Sequence, residues 1–186
     1  NFLGTKTCAV NSGTSALILA LQITNIKHGD LVILPSFTYL ATAQAVTAVG
    51  GIPFFCDVNM NGHICIENIP NYILSKAKVI ILMHYAGVEM DIKEIIPIAK
   101  SYNLRIIEDA AHSFGSKRFT NKLSEREFDL VCYSFDGIKN ITTGEGGCIC
   151  ANKKEDQDRL EDIRLLGVIG DSKKRQRNQR TWLPIV

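Results

Sequence analysis

The chain alternates between short apolar runs and longer amphipathic stretches, and this alternation limits its fold more than any other sequence feature. The runs LVILP (31–35) and KVIILMH (78–84) have the length of strands, and stretches with helical periodicity follow them at about 39–49 and 92–100. Strands that alternate with helices are typical of domains in which helices cover a parallel sheet. We therefore predict an α/β fold with a mostly parallel sheet.

Further elements continue this pattern along the chain. Additional strands are predicted at 7–10, 52–58, 104–109, 128–135 and 146–151. Additional helices are predicted at about 12–23, 67–74 and 154–166. The connection between FDLVCYSF (128–135) and GGCICA (146–151) has no room for a crossover helix of normal length. We therefore expect this strand pair to be antiparallel and the sheet to be mixed.

The composition is typical of one globular domain with a substantial core. Of 186 residues, 46% are hydrophobic and 22% are charged,. The net charge of +2 predicts neither a nucleic-acid partner nor attraction to a membrane surface,. The best apolar run, 79–83, is too short to span a membrane, and NFLGTKTCAV lacks the pattern of a signal peptide. The cytoplasm is the expected location.

Six cysteines lie mostly in apolar segments such as FFCDV, LVCYSF and GGCICA: Cys8, Cys56, Cys65, Cys132, Cys148 and Cys150. Without a signal peptide, buried reduced thiols are expected rather than disulfides. Cys148 and Cys150 form C-x-C within a strand pattern, which differs from the C-x-x-C spacing common in zinc sites. No metal site is expected.

The segment NSGTSAL (11–17) joins a predicted strand to a predicted helix. Gly13 permits a tight turn, and Thr14 and Ser15 offer hydroxyls beside the free N–H groups of the first helical turn, where phosphate binds well. The spacing matches neither the P-loop nor G-x-G-x-x-G. A plain Ser/Thr helix cap explains the segment equally, and the segment taken alone favours the cap.

The segment IIEDAAHSFG (106–115) places a carboxylate at the end of an apolar strand. Ligands bind beyond the carboxyl ends of strands in open α/β sheets, so Asp109 is either a functional group or a cap for the next turn. Glu108 is expected on the opposite face of the strand. His112 follows three residues later, where it shares a site with Asp109 or has the structural role more common for a lone loop histidine.

Lys139 lies in SFDGIKNITTGEGG (134–147), between a predicted strand and a glycine-rich turn. Alone, such a lysine is most often a surface charge, although a lysine with a lowered pKa forms Schiff bases. A phosphate cup, a strand-end aspartate and a loop lysine are together the parts that a pyridoxal phosphate enzyme needs. The carboxylate keeps the pyridine nitrogen protonated, and the lysine holds the aldehyde and moves the proton.

Five segments in this order resemble the DegT/DnrJ/EryC1/StrS aminotransferases: NSGTSAL, PSFTYLATAQAV, MHYAGVEMD, IIEDAAHSFG and SFDGIKNITTGEGG. The resemblance covers about 2–166. It implies the large domain of a fold-type-I enzyme, a three-layer sandwich with a mostly parallel mixed sheet. It also implies a pyridoxal 5'-phosphate cofactor and amination of keto groups on nucleotide-linked sugars.

The resemblance implies roles for three residues at the reacting end of the cofactor. Lys139 matches the Schiff-base lysine, and it is the expected catalytic residue. Asp109 matches the aspartate that pairs with the pyridinium nitrogen. His112 stands where the family has Gln or His, near the phenolic oxygen of the cofactor.

The resemblance implies further cofactor-binding roles for four residues. Thr14 and Ser15 match the residues whose backbone N–H groups hold the phosphate, and Ser134 matches the serine that hydrogen-bonds it. Tyr39, in SFTYLAT, matches the aromatic residue that stacks on the ring. An aromatic residue packed in the core is the alternative interpretation for Tyr39.

The sequence departs from the family pattern at Asp136, where the family usually has histidine. Two arrangements are open for this carboxylate, three residues from Lys139. It pairs with the ammonium and raises the lysine pKa, which slows Schiff-base formation, or it points to solvent.

Length is the second departure, because family members are about twice as long as one such domain. We expect 1–166 to be the cofactor-binding large domain and 167–186 a basic loop with a truncated end. A leading segment and a C-terminal small domain are expected to be missing. The stretch 171–180 holds five basic residues and one acidic residue, which predicts a solvated loop or, alternatively, a contact for a phosphate-bearing substrate,.

The predicted function is amination of a nucleotide-linked ketosugar, with glutamate as amino donor, in cell-surface polysaccharide (lipopolysaccharide) or amino-sugar biosynthesis. A homodimer is expected for the full-length form. One alternative is a sugar dehydratase of the same family, but Lys139 argues against it because those enzymes are expected to carry histidine there. The other alternative is an inactive truncated or regulatory domain that binds the cofactor poorly or not at all.

Overall fold

Seven strands form one sheet in the computed structural model, which describes residues 2–116 and 128–164. The strands are β1 (Thr7–Val10), β2 (Leu31–Pro35), β3 (Ile52–Cys56), β4 (Ala77–Met83), β5 (Arg105–Asp109), β6 (Leu130–Ser134) and β7 (Gly147–Ala151). The α-helices are α1 (Gly13–Ile23), α2 (Leu40–Ala48), α3 (Asn71–Leu74), α4 (Ile95–Ser101) and α5 (Lys154–Arg164). Short 3-10 turns lie at Ile66–Asn68 and Tyr85–Gly87.

The sheet is mixed and mostly parallel, as predicted. Its strand order is β1-β7-β6-β5-β4-β2-β3. The pairs from β6 through β5, β4 and β2 to β3 are parallel, and β7 runs antiparallel to both β6 and β1. The expected antiparallel pair of β6 and β7 is therefore confirmed, and its connection is the loop that holds Lys139.

Two predicted helices differ from the observed ones: one is interrupted before a proline, and the other begins later than predicted. The predicted helix at 67–74 is two short turns, because Ile69 before Pro70 is extended (φ −84°, ψ 120°) and the chain restarts as α3,. The predicted helix at 92–100 begins only at Ile95, after a turn closed by Ile95 N–H and the Ile92 carbonyl. The last two predicted residues of α5, 165–166, lie outside the described residues, as does the basic stretch 167–186.

Helices cover both faces of the sheet, which makes the three layers of the predicted fold. Side chains of α1, α2 and α5 pack with Val32, Ile81 and Ile107 on one face. Residues of α3 and α4 pack with Ile80 and Ile106 on the other face. Neighbouring residues of β5 thus serve opposite layers, since side chains alternate along a strand. A third apolar cluster surrounds β6 and β7 and includes Tyr133.

All six cysteines are free thiols, and five of them are buried. Within residues 2–116 and 128–164, no helix has both the length and the apolar character needed to cross a membrane.

Candidate functional site

The predicted site residues gather at one edge of the sheet. The carboxyl ends of β1, β5 and β6 meet there and carry NSGTSAL, Asp109 and Ser134. The start of β7 meets the same edge, because Gly147 pairs with both Val10 and Ser134. The charges of Asp109 and Lys139 both act on His112, which places the three groups in one neighbourhood. The sheet thus brings together residues from distant parts of the chain.

Asp109 is a buried carboxylate with a partner for each oxygen. Its side chain accepts hydrogen bonds from Thr42 Oγ1 to Oδ2 at 3.0 Å and from the Ala111 N–H to Oδ1 at 3.2 Å. Burial raises the pKa of Asp109, and these two hydrogen bonds and the nearby histidines oppose that rise,. A cationic partner placed beside Asp109 stabilises its ionised form.

Glu108 lies on the opposite face, as predicted from strand alternation. Its Oε2 is 2.9 Å from His84 Nε2, and both side chains are fully buried. The Nδ1 atom of His84 accepts the Met90 N–H at 3.1 Å. This pair anchors the segment after β4, whose next residues reach the site.

His112 is half-buried beside that segment. Its Nδ1 accepts the backbone N–H of Ala86 at 3.1 Å, and its ring meets the Tyr85 ring edge-on with centroids 5.3 Å apart. Burial lowers the pKa of His112, the Lys139 charge lowers it further, and Asp109 opposes both effects. The neutral imidazole is therefore favoured at the site.

Lys139 is partly buried in a turn that Asp136 shapes. The Asp136 carbonyl accepts the Lys139 N–H at 3.0 Å, and Asp136 Oδ1 accepts the Ile138 N–H at 3.1 Å. Among residues 2–116 and 128–164, no carboxylate oxygen lies within 4 Å of Lys139 Nζ. The ion pair considered for Asp136 is thus not among the described contacts, and its carboxylate holds the backbone of the turn instead.

Gly13 and Ser134 form a tight cup at the start of α1. A Cβ atom on Gly13 would lie 2.8 Å from Ser134 Cβ and 3.1 Å from its Oγ, so only glycine allows this approach,. Ser134 is only 6% exposed. The cup therefore places a hydroxyl directly beside the N-terminal turn of an 11-residue helix.

The N–H groups of this helical turn are used unequally. Ser15 N–H donates to Ser12 Oγ at 3.1 Å, which makes Ser12 the helix cap. Within the described part of the chain, no hydrogen bond takes the N–H of Gly13 or Thr14. The Thr14 N–H is thus available to bind an anion. The Ser15 N–H binds an anion only if it divides its hydrogen bond between that anion and Ser12 Oγ.

Tyr39 is 67% exposed, so the alternative of an aromatic residue packed in the core is wrong. It lies just before α2 as its N-cap residue, and its carbonyl accepts the Thr42 N–H. Tyr39 therefore starts the same helical turn that holds Asp109, and its ring is free to cover a ligand. Its stacking role stays a prediction.

Sequence reasoning missed several residues that shape the site. Thr42, His84 and Ala86 each make a long-range hydrogen bond near Asp109 or His112. The hydroxyls of Thr38, just before α2, and Thr42, within α2, lie 2.8 Å apart. The i, i+4 threonines in PSFTYLAT were the available signal for Thr42, whereas a backbone N–H such as that of Ala86 leaves no signal.

The chain is similar in sequence to known aminotransferases. The sequence model of the DegT/DnrJ/EryC1/StrS aminotransferase family matches residues 1–183. The GDP-perosamine synthase of Escherichia coli O157:H7 is 41% identical over 151 residues, covering 81% of this chain and 41% of that protein. The GDP-perosamine synthase of Caulobacter vibrioides is 38% identical over 179 residues, covering 96% and 46%.

Solved structures share the fold as well. The crystal structure of NtdA from Bacillus subtilis with bound cofactor PMP superimposes with a TM-score of 0.80 at 29% identity, covering 92% of this chain and 39% of that one. The chain thus spans less than half the length of each of these three relatives.

Proposed function

This chain belongs to the DegT/DnrJ/EryC1/StrS aminotransferase family, and we propose that it is the cofactor-binding part of an aminotransferase that acts on a nucleotide-linked ketosugar. Pyridoxal phosphate is the cofactor of this family. The observation that carries the proposal is the meeting of Asp109, His112 and Lys139 at one sheet edge. These are the groups that recognise the ring of this cofactor and its aldehyde.

The residues present fit pyridoxal phosphate at both of its ends. Asp109 is buried, and within residues 2–116 and 128–164 it makes no ion pair, so a pyridinium N–H suits its charge as a partner,. The Gly13–Ser134 cup offers a hydroxyl and open N–H groups at a helix N-terminus, which suit a phosphate dianion,. We propose that Thr14, Ser15 and Ser134 hold the phosphate and that Tyr39 covers the ring.

Each group then has a defined task. Asp109, as a carboxylate, holds a proton on the ring nitrogen, and the bound cofactor supplies the electron sink for the substrate carbon. Lys139 would hold the aldehyde carbon of the cofactor through its amine, with loss of water, and as a free amine it would move a proton at the substrate carbon. His112, on which the charges of both residues act, would orient the ring. The apolar surroundings of Asp109 strengthen its interaction with a bound cation.

The names of the relatives support the substrate class. Two of them are GDP-perosamine synthases, so a nucleotide-linked sugar is the substrate that we propose. We also propose glutamate as the amino donor and a role in amino-sugar or cell-surface polysaccharide synthesis. A homodimer in the cytoplasm is the assembly and location that fit this role.

The half-reaction with glutamate tests the proposal. The protein is loaded with pyridoxal phosphate, separated from the excess and mixed with glutamate, and 2-oxoglutarate is then quantified. We expect about one 2-oxoglutarate for each bound cofactor, and none from Lys139→Ala. Cofactor binding without 2-oxoglutarate would leave a binding domain and refute transamination by this chain.

A further inference from the structure

The turn after β4 contacts His112 through its backbone. The Ala86 N–H points at His112 Nδ1 with 3.1 Å between the nitrogens. A backbone N–H only donates, so Nδ1 must accept, and a neutral ring then carries its proton on Nε2. We propose that the Ala86 N–H is a positioning group that fixes His112 as the Nε2–H tautomer, which presents a hydrogen-bond donor to the cofactor site. Only the identity of the ligand that accepts the hydrogen bond from His112 Nε2–H rests on the proposed function.

The turn is anchored so that it holds the Ala86 N–H in place. His84 begins it, and the fully buried Glu108 holds His84 at 2.9 Å. The carbonyl of His84 accepts the Gly87 N–H at 3.2 Å and the Ser113 hydroxyl at 3.2 Å. His84, at the start of the turn, is therefore fixed both to β5 and to the loop that carries His112.

The backbone of the turn that makes this contact has an uncommon conformation. Ala86 has φ 51° and Gly87 has φ 78°, so two successive residues are left-handed. A Cβ on Gly87 would lie 3.2 Å from the His112 carbonyl oxygen, which shows how closely the turn approaches the loop. Left-handed conformation in a residue with a side chain is unfavourable and persists where surrounding contacts hold it.

The charges of Lys139 and Asp109 act on the His112 pKa in opposite directions, and burial acts in the same direction as Lys139. Lys139 faces the ring from the β6–β7 loop, Asp109 faces it from the end of β5, and the Tyr85 ring packs against its edge. Burial and the Lys139 charge favour the neutral ring. A protonated ring would carry a hydrogen on Nδ1 and would lose the Ala86 contact.

Nitrogen NMR of the cofactor-free protein tests the tautomer directly. The four histidines are labelled with ¹⁵N, and His112→Gln identifies the His112 signals by their loss. Near pH 8, we expect His112 Nδ1 in the unprotonated range and Nε2 in the protonated range. A proton on Nδ1, or an equal mixture of tautomers, would overturn the inference.

Variants of the turn separate positioning from general stability. Ala86→Gly keeps the N–H and accepts φ 51°, so the tautomer should be retained. Gly87→Ala places a Cβ 3.2 Å from the His112 carbonyl oxygen at a left-handed position, so the turn must move and a mixture of tautomers should appear. An unchanged tautomer in folded Gly87→Ala would contradict control by the turn.

Cofactor binding distinguishes this inference from the proposed function. Glutamine offers an acceptor and a donor on one amide, so His112→Gln should weaken pyridoxal phosphate binding less than His112→Phe, which should weaken it about fivefold. Equal losses would contradict the donor role. The expected tautomer without any cofactor binding would refute the proposed function while the positioning by Ala86 stands.

Discussion

Thr42 Oγ1 donates to Asp109 Oδ2 at 3.0 Å and thereby joins the first turn of α2 to the end of β5. The two residues are 67 positions apart in the sequence, and both are buried. The Ala111 N–H holds the other carboxylate oxygen. Together these contacts fix the plane of the Asp109 carboxylate, so a ring nitrogen bound there as proposed would meet it in one orientation.

Replacing Thr42 should therefore weaken the cofactor site. Thr42→Val has a similar shape but no hydroxyl, and it leaves Asp109 Oδ2 without this donor. Hydrogen bonds to charged groups contribute about 1.5–3 kcal/mol, so pyridoxal phosphate binding should fall by roughly 10-fold or more. Thr42→Ser keeps the hydroxyl and should recover most of the affinity. Equal affinity of the valine and serine variants in an absorbance titration would refute the role of the hydroxyl.

Asp109 should make the cofactor-free protein less stable as pH rises. Its pKa is raised in the fold from the ordinary value of 3.8, so the native state binds its proton more tightly than the unfolded state. Stability from this group is therefore lost as pH rises from about 3.8 through the folded pKa,. Asp109→Asn has no such dependence.

Thermal unfolding without cofactor checks this prediction. Asp109→Asn should match the unmodified protein near pH 3.5 and have the higher Tm near pH 7.5, because the amide carries no charge for burial to disfavour,. The same variant should lose cofactor binding, since an amide cannot hold a pyridinium charge. A lower Tm of the variant at pH 7.5 would contradict the burial penalty.

Gly13→Ala should damage the phosphate cup selectively. The added Cβ would lie 2.8 Å from Ser134 Cβ, which no ordinary packing allows. Affinity for pyridoxal phosphate should fall roughly 10-fold or more, with a smaller effect on pyridoxal, which lacks the phosphate. Gly137→Ala is the matched control, because its Cβ would meet the Gly144 oxygen at an ordinary 3.7 Å. An equal loss of affinity for pyridoxal phosphate and pyridoxal would mean that the phosphate does not bind in this cup.

Asp136 should act through the turn and not through the charge of Lys139. Asp136→Asn keeps an acceptor for the Ile138 N–H and should change the rate of cofactor attachment by less than about twofold. Asp136→Ala removes the acceptor and should slow attachment about fivefold, as expected for one lost hydrogen bond. A marked acceleration in Asp136→Asn would instead reveal an ion pair with Lys139.

Much of the fold could be predicted because the central strands are buried on both faces. Such strands read as continuous apolar runs, and LVILP and KVIILMH matched β2 and β4 closely,. The short connection between β6 and β7 also determined their antiparallel pairing. The strand order was not predictable in this way, since it depends on contacts between distant segments.

Candidate site residues could be predicted from the sequence only where they lie at the end of a strand or in the loop that follows it. Asp109 and Ser134 close β5 and β6, and Lys139 lies in the loop after β6, so position and residue type pointed to them. Thr42 and Ala86 act through single hydrogen bonds over long sequence distances, which local patterns do not record. The sequence also did not determine whether Tyr39 is exposed, because an aromatic residue at the start of a helix can pack in the core or contact a ligand.

Attachment of pyridoxal phosphate to Lys139 is the most direct test of the proposed site. The purified protein is mixed with the cofactor and treated with borohydride, which makes the bond between the aldehyde carbon and an amine permanent, and the peptides are analysed by mass spectrometry. We predict one attached group per chain, on the peptide that contains Lys139, and loss of this label in Lys139→Ala. No label, or label spread over other lysines while circular dichroism shows an intact fold, would contradict the assignment of this edge of the sheet as a cofactor site.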